Sequence, residues 1–456
     1  MGCDALYDAR LAISGKDVTL FDLATWKNGL AFKKIDFSDS GIPVIKIAEL
    51  NNGIGSSTSF TRGVYSSDVK LQRGDFLFSW SGNPETSIDI FRFELEEGWL
   101  NQHIFKTTPN SSLVTGDYFF YLMKWLKPVF KSIASNKQTT GLGHITISDL
   151  KKIKVTAPAK DFQGKVAAIL TAIDNKISLN AKLNGYLEEL CDALFLDFLE
   201  RADSSWHEGT LEELAEVKYG KNHKKLADGP YPVYGSGGFM RSAEKSLFSG
   251  ESVLIPRKGS LNNVMYVNEA FWTVDTMFFT VPRIPGAAKF LYQYVKRLDL
   301  ASMNSGSAVP SMTTSILNAL SLPVPPRDSL LSFNAKLQSM YDAVRANNSE
   351  NRRLESLRDS LLPKLMSGEI DASKVDLTQL NSHLAEPDQN LFSFQIHDYG
   401  IQTGFEHNST RKKARIENGI LKEDVECCSP LSAARNTVDR ANNGWTHWRA
   451  DRLRKS

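Results

Sequence analysis

Residues Asp161–Phe195 read DFQGKVAAILTAIDNKISLNAKLNGYLEELCDALF, and residues Ser332–Met366 read SFNAKLQSMYDAVRANNSENRRLESLRDSLLPKLM. The second stretch replays the first 171 positions on: Phe162 falls on Phe333, Asn180 on Asn351, Leu183 on Leu354, Leu190 on Leu361 and Leu194 on Leu365. In the first, Val166, Ile169, Ile173 and Ile177, then Leu183, Leu187, Leu190 and Leu194, recur at intervals of three and four. In the second, Leu337, Met340, Val344, Leu354, Leu361 and Leu365 follow at intervals of three, four, ten, seven and four, all sums of threes and fours, which is the spacing of a coiled-coil seam. A single stripe of this kind marks an ordinary core helix more often than not. Two matched copies of about forty residues each predict helices that pair with one another. Asn180 and Asn351 interrupt the seams at equivalent places, where a buried amide fixes register and partner. Gly185 and Pro363 are expected to weaken or bend their helices.

Each long helix follows a globular block. In the first block VIKIAEL, DFLFSW and DIFRFEL read as strands, YFFYLMKWLKPVFKSI as a helix that Pro128 should kink or shorten, and NKQTTGLGH as a polar loop. The second block repeats the order with SVLIPRK, NVMYVN, WTVDTMFFTV, the helix FLYQYVKRL and the loop NSGSAVPS. Both blocks close on proline-punctuated strands, KVTAP and SLPVPP. The expected fold class is therefore α+β: two similar globular domains separated by a long antiparallel two-helix coiled coil, with pseudo-two-fold symmetry. Antiparallel pairing is preferred because parallel pairing would force the second block to span the whole helix, about 60 Å for forty residues. The two globular domains would then stand at opposite ends of the helix pair.

Composition sets the bounds. Hydrophobic residues at 41% and charged residues at 23% are those of a globular protein, and the net charge is +2. Residues 411–456 hold eleven Lys/Arg against six Asp/Glu, so the first 410 residues are slightly acidic and any DNA must be held by local basic patches. No apolar run reaches membrane-spanning length, and the N-terminus lacks a signal-peptide pattern. The four cysteines, Cys3, Cys191, Cys427 and Cys428, have no metal-ligand spacing. A reducing cytoplasm is the expected location, with Cys191 in a helix core. The nearest approach to an amino-methyltransferase motif, Asn83-Pro84-Glu85, lacks the second proline and the aromatic residue. Phosphate-loop and zinc-protease motifs are missing as well, which argues against an enzyme.

Several motifs together resemble the specificity subunit of type I restriction–modification systems: VIKIAELNNG, LQRGDFLFSWSG and LNQHIFK in the first block, IPRKGSLNNVMYV and WTVDTMFF in the second, then GSAVPSM and LRDSLLPKLMSGEI. The likeness spans residues 18–370. It implies two target-recognition domains that each read one half of a bipartite double-stranded DNA site, and two helices that space them and dock two methyltransferase subunits. Restriction and translocase subunits would join through the complex. S-adenosylmethionine, ATP and Mg would belong to those partners, with no cofactor, metal or membrane contact here. The expected organisation is a first recognition domain over 1–160, a central spacer helix over 161–203, a second recognition domain over 204–327, a C-terminal spacer helix over 328–370, and a basic, disordered tail over 371–456. The tail lies beyond the resemblance. A sharper reading makes it a tether to DNA phosphates.

Bases are read by bidentate Arg, Lys, Asn or Gln on exposed loops, and phosphates by Lys and Arg. Candidate DNA contacts are Lys33, Lys34, Lys137, Gln138, Thr139, Thr140 and His144 in the first domain. In the second they are Lys221, Lys224, Lys225, Arg257, Lys258, Ser260 and Asn262, with His223 and Asn263 alongside. A solvated loop is the plainer reading of each cluster. His103 and Asp275 are expected to be buried hydrogen-bonding residues. Helix pairing and partner docking are assigned to Ile173, Ile177, Asn180, Leu187, Leu190, Val344, Asn351, Leu354 and Leu361. The alternative function is a coiled-coil interaction scaffold that does not bind DNA.

Overall fold

The computed structural model describes residues 7–11, 13–137, 141–303 and 311–375, together with three short strands beyond them. The chain forms two compact units, Met1–Leu179 with Ser349–Pro387 and Asn180–Asn348 with Asp388–Ser456. Each is a mixed α+β body with its own core.

In the first unit an antiparallel sheet runs in the order Ala24–Asn28, Ile104–Pro109, Phe76–Ser79, Asp89–Arg92. The helices Gly116–Trp125 and Lys127–Ser135 supply buried Tyr118, Phe119, Leu122, Phe130 and Ile133 to the same core as Phe78, Ile90 and Phe105. Pro128 falls in the first turn of the second helix, where its missing N–H costs no hydrogen bond. A second sheet, with Ile42–Ile45 and Glu97–Leu100 at its centre, encloses Val44, Ile45, Leu71 and Trp99. VIKIAEL is only half a strand. The backbone N–H of Lys46 donates to Glu49 Oε2 (3.0 Å), which starts a helix over Ile47–Asn52, and Gly53 at φ +74° ends it.

The second unit repeats the order in one six-stranded sheet: Ala215–Tyr219, Met277–Pro282, Phe248–Pro256, Met265–Thr273, Tyr231–Gly235 and Gly238–Ala243. Here the long strand Met265–Thr273 does the work that the first unit divides between Asp89–Arg92 and Glu97–Leu100.

The two long helices, Lys160–Glu200 and Arg327–Ser367, are unbroken at 41 residues each. Within each unit their segments pair antiparallel. In the first, Arg358 Nη1 meets Asp174 Oδ1 (3.0 Å), Asn351 Nδ2 donates to the Ile177 carbonyl (3.3 Å), and Val166, Ile169 and Leu170 share a core with Leu361 and Leu365. In the second, the Cys191 thiol lies 3.7 Å from Met340 Sδ, and Leu187, Leu194 and Phe195 pack with Phe333, Leu337 and Met340. Burial pushes the Cys191 thiol up to about 12, so it is an inert core residue. Beyond residue 375 the described residues are the antiparallel strands Gly404–Glu406, Lys413–Glu417 and Ile420–Lys422.

Candidate nucleic-acid interface

In the second unit three chain segments meet at one end of the sheet. Strand Phe248–Pro256 delivers Arg257 and Lys258, strand Ala215–Tyr219 delivers Lys221, and the turn before Met277 joins them. The Arg257 and Lys258 N–H groups both donate to the Thr276 carbonyl (2.8 and 3.3 Å), and Lys221 N–H donates to that of Thr273 (2.9 Å). Gly220 permits this approach, because a Cβ there would lie 2.0 Å from the Val274 carbonyl oxygen. Lys221, Lys224, Lys225, Lys258 and Ser260 are exposed. The Arg257 guanidinium lies over the Tyr219 ring at 5.3 Å, with Nη1 reaching the Asp275 carbonyl (3.4 Å). Arg241 props the lysine loop from behind through the His223 and Leu226 carbonyls (3.3 and 2.6 Å). Asn262 is otherwise engaged: its Nδ2 donates to Asp299 (3.1 Å) and its Oδ1 accepts from Ala301 (3.0 Å). Asn263 Nδ2 donates to the Ser236 carbonyl (2.8 Å), which brings the Gly235–Gly238 turn alongside.

The first unit has the same junction with other side chains. Trp80 N–H donates to the His103 carbonyl (3.3 Å) and Leu30 N–H to that of Leu100 (2.9 Å). Gly29, like Gly220, sits where a Cβ would meet a carbonyl oxygen, here that of Asn101 at 2.2 Å. Lys33 and Lys34 are exposed on the loop that follows, pinned by Asp36 Oδ2 accepting from Lys33 N–H (2.6 Å). His144 is exposed and pairs with Ser81, bringing the far side of the polar loop to the junction. Lys137 is held differently: its ammonium lies 2.5 Å from both carboxylate oxygens of buried Asp149. Burial alone would raise the Asp149 carboxyl, but Lys137 and the Thr146 donors hold it below the usual carboxylate range. Lys137 therefore anchors the loop at its base. Gln138, Thr139 and Thr140 lie outside the described residues.

Two expectations are corrected. His103 and Asp275 are exposed in turns, not buried in strands, because the strands they were assigned to begin one and two residues later, at Ile104 and Met277. His103 faces the Trp80 ring at 5.7 Å, and Asp275 lends only its carbonyl to Arg257. Sequence reasoning also missed Trp80, read as the end of a strand, Asn28 and Tyr219, which no motif covered, and the hairpin residues Phe239 and Met240, 58% and 54% exposed. Their signal is position: each stands at or beside a strand end. Of the helix residues, Ile173 and Leu187 are buried, Asn180 is 2% exposed, and Ile177, Leu190, Val344, Asn351, Leu354 and Leu361 are half-buried. Among the described residues no cluster of His, Cys, Asp and Glu has the makings of a metal site, and no helix is long and apolar enough to cross a membrane.

A model of the type I restriction modification DNA specificity domain matches this chain twice, over residues 15–189 and 203–354. The HindI type I restriction enzyme specificity subunit of Haemophilus influenzae is 22% identical, with 66% of this chain and 87% of that protein covered. A putative type I specificity subunit of Mycoplasma genitalium is 26% identical, covering 56% and 72%. The crystal structure of a type I restriction–modification S subunit from M. genitalium matches with a TM-score of 0.50 at 20% identity, over 78% of this chain and 96% of that one, a likeness of fold.

Proposed function

The chain belongs to the type I restriction–modification DNA specificity family, whose domain it carries twice, and we propose that each copy reads its half of a bipartite double-stranded target through the junction described above. It is the DNA sequence-specificity subunit of such a system. The observation that carries the finer reading is the repeated junction: in both units strand ends and turns gather exposed cationic and polar side chains at one edge of the sheet. Lys33, Lys34, Lys221, Lys224, Lys225 and Lys258 are suited to phosphates, and Arg257, His144 and Ser260 to base edges.

The subunit recognises and its partners catalyse. Two methyltransferase subunits would dock on the long helices, whose outer faces expose Leu179, Tyr186, Leu196, Leu331 and Leu357. S-adenosylmethionine, ATP and Mg would be held by the methyltransferase, restriction and translocase subunits. The test is duplex binding and site-mapped methylation by the complex reconstituted with its methyltransferase. Affinity for a cognate duplex should fall with salt at a log–log slope of about −0.9 per neutralised phosphate. Methylation should map to one two-part motif. Salt-insensitive association, or methylation indifferent to sequence, would return the chain to the status of an interaction scaffold.

A further inference from the structure

We propose that Trp80 and Arg257 occupy one and the same readout position, through which each domain distinguishes a base of its own half-site; this rests on the function proposed above. Strand pairing fixes the equivalence. Phe105 faces Asn28 and Phe78 in the first unit, and Phe278 faces Tyr219 and Ile255 in the second. Two residues beyond Phe78 and Ile255 stand Trp80 and Arg257. Their backbones are held alike on both sides. Trp80 N–H donates to the His103 carbonyl (3.3 Å) and Arg257 N–H to that of Thr276 (2.8 Å), while their own carbonyls accept from Ile145 (2.8 Å) and Met312 (2.9 Å). The next residues, Ser81 and Lys258, bridge to His144 and Ser311.

Within this common frame the side chains differ in kind. Trp80 stacks on Phe105 at 5.6 Å and donates through Nε1 to Asn28 Oδ1 (3.0 Å). Arg257 leans over Tyr219, the equivalent of Asn28, and Tyr219 in turn packs on Phe278 at 5.0 Å. In both units the side chain lies against the last residue of a nearby strand, Trp80 on Asn28 and Arg257 on Tyr219. A position whose backbone is fixed by the fold, while its side chain is left to differ, is what a recognition surface needs to change specificity without changing shape. The chemistry then assigns the preference. The Arg257 fork matches O6 and N7 of guanine, whereas Trp80 has spent its N–H on Asn28 and offers an apolar face suited to the thymine methyl.

The experiment maps methylated sites on a random DNA library with the reconstituted complex, comparing wild type, Arg257→Gln, Trp80→Arg and Trp80→Phe. Arg257→Gln should replace a guanine preference by adenine at a single position of one half-site, with discrimination there changing by about ten- to hundredfold. Trp80→Arg should move a single position of the other half-site towards guanine. The untouched half-site of each variant reports that the complex is folded. Trp80→Phe, which keeps the stack on Phe105 and frees Asn28, should alter the same single position if the larger change prevents assembly. A wild-type complex with no two-part motif would sink the function itself. A clear wild-type motif that Arg257→Gln leaves intact at every position would overturn only this assignment.

Discussion

Lys289 has no exposed side-chain surface, yet it carries an ammonium group into the second unit. It is paired with Glu251, donates to Asn334 Oδ1 and Gln338 Oε1 (both 2.8 Å), and lies 5.6 Å from the rings of Tyr266 and Tyr341. Tyr266 donates to the same Glu251 (2.6 Å); burial, reinforced by that carboxylate, pushes its hydroxyl well above the ordinary tyrosine value. These bonds fasten the recognition sheet to the segment of long helix in its own unit. Removing one member of a buried ion pair leaves the other charge uncompensated. Lys289→Met should therefore destabilise this unit by about 3–5 kcal/mol, read as a lower denaturant midpoint. A midpoint within error of wild type would show that the network contributes no net stability. None of this was legible in the sequence, where Lys289 is one lysine ahead of an aromatic run. Spacing was equally blind to the partner of Lys137: Asp149, twelve residues on, folds back beneath it. Residue-level roles depend on partners distant along the chain.

At the scale of elements the long helices were legible, because apolar residues recurring at intervals of three and four line up on one face only when the chain is helical. Their polar interruptions were only partly so. Asn180 and Asn351 stood out within the seam, but no spacing singled out Asn184. In the structure Asn347 Nδ2 donates to Asn184 Oδ1 (2.8 Å) and Asn184 Nδ2 donates to Asn348 Oδ1 (2.9 Å), an amide layer between the two helices of the second unit. Asn184 and Asn347 are buried at 7% and 9% exposure, so orphaning either is costly. Asn184→Leu alone should destabilise by about 1–3 kcal/mol, since it strips both partners of a bond. Asn184→Leu with Asn347→Leu should recover most of that loss, because two apolar groups can replace a satisfied polar pair at little net cost. Thermal melting of the two variants checks the order. If the double variant melted below the single, the layer would be making its contribution through packing and not through hydrogen bonds.

For the whole molecule, the repeat was visible in the helices and hidden in the recognition loops for one physical reason. Helix pairing tolerates no insertion that puts one seam out of phase with the other, so the 171-residue offset holds along both stretches. Loops tolerate insertions well. Phe105 and Phe278 are 173 residues apart, Trp80 and Arg257 177, and Leu30 and Lys221 191, so no single offset aligns the junctions. Hydrogen bonding recovers the correspondence that counting loses. The same constancy of the helices supports their reading as a spacer, and it sets a phase condition. One heptad added to each helix lengthens the pair by about 10 Å, close to 3 base pairs, which turns DNA by roughly a third of a revolution. The helix pair returns to within about 20° of its starting angle, so a single heptad should fit no spacer in both distance and phase. Three heptads add about 31 Å, near one DNA turn, and bring distance and phase almost back together. Insertion of three matched heptads beside Ile177 and Asn351 should lengthen the preferred spacer by about 9–10 base pairs while leaving both half-sites unchanged, and one heptad should sharply reduce methylation. Site-mapped methylation by the two complexes decides it: a three-heptad variant that kept the wild-type spacer would mean that the helices hold the partners without measuring the DNA.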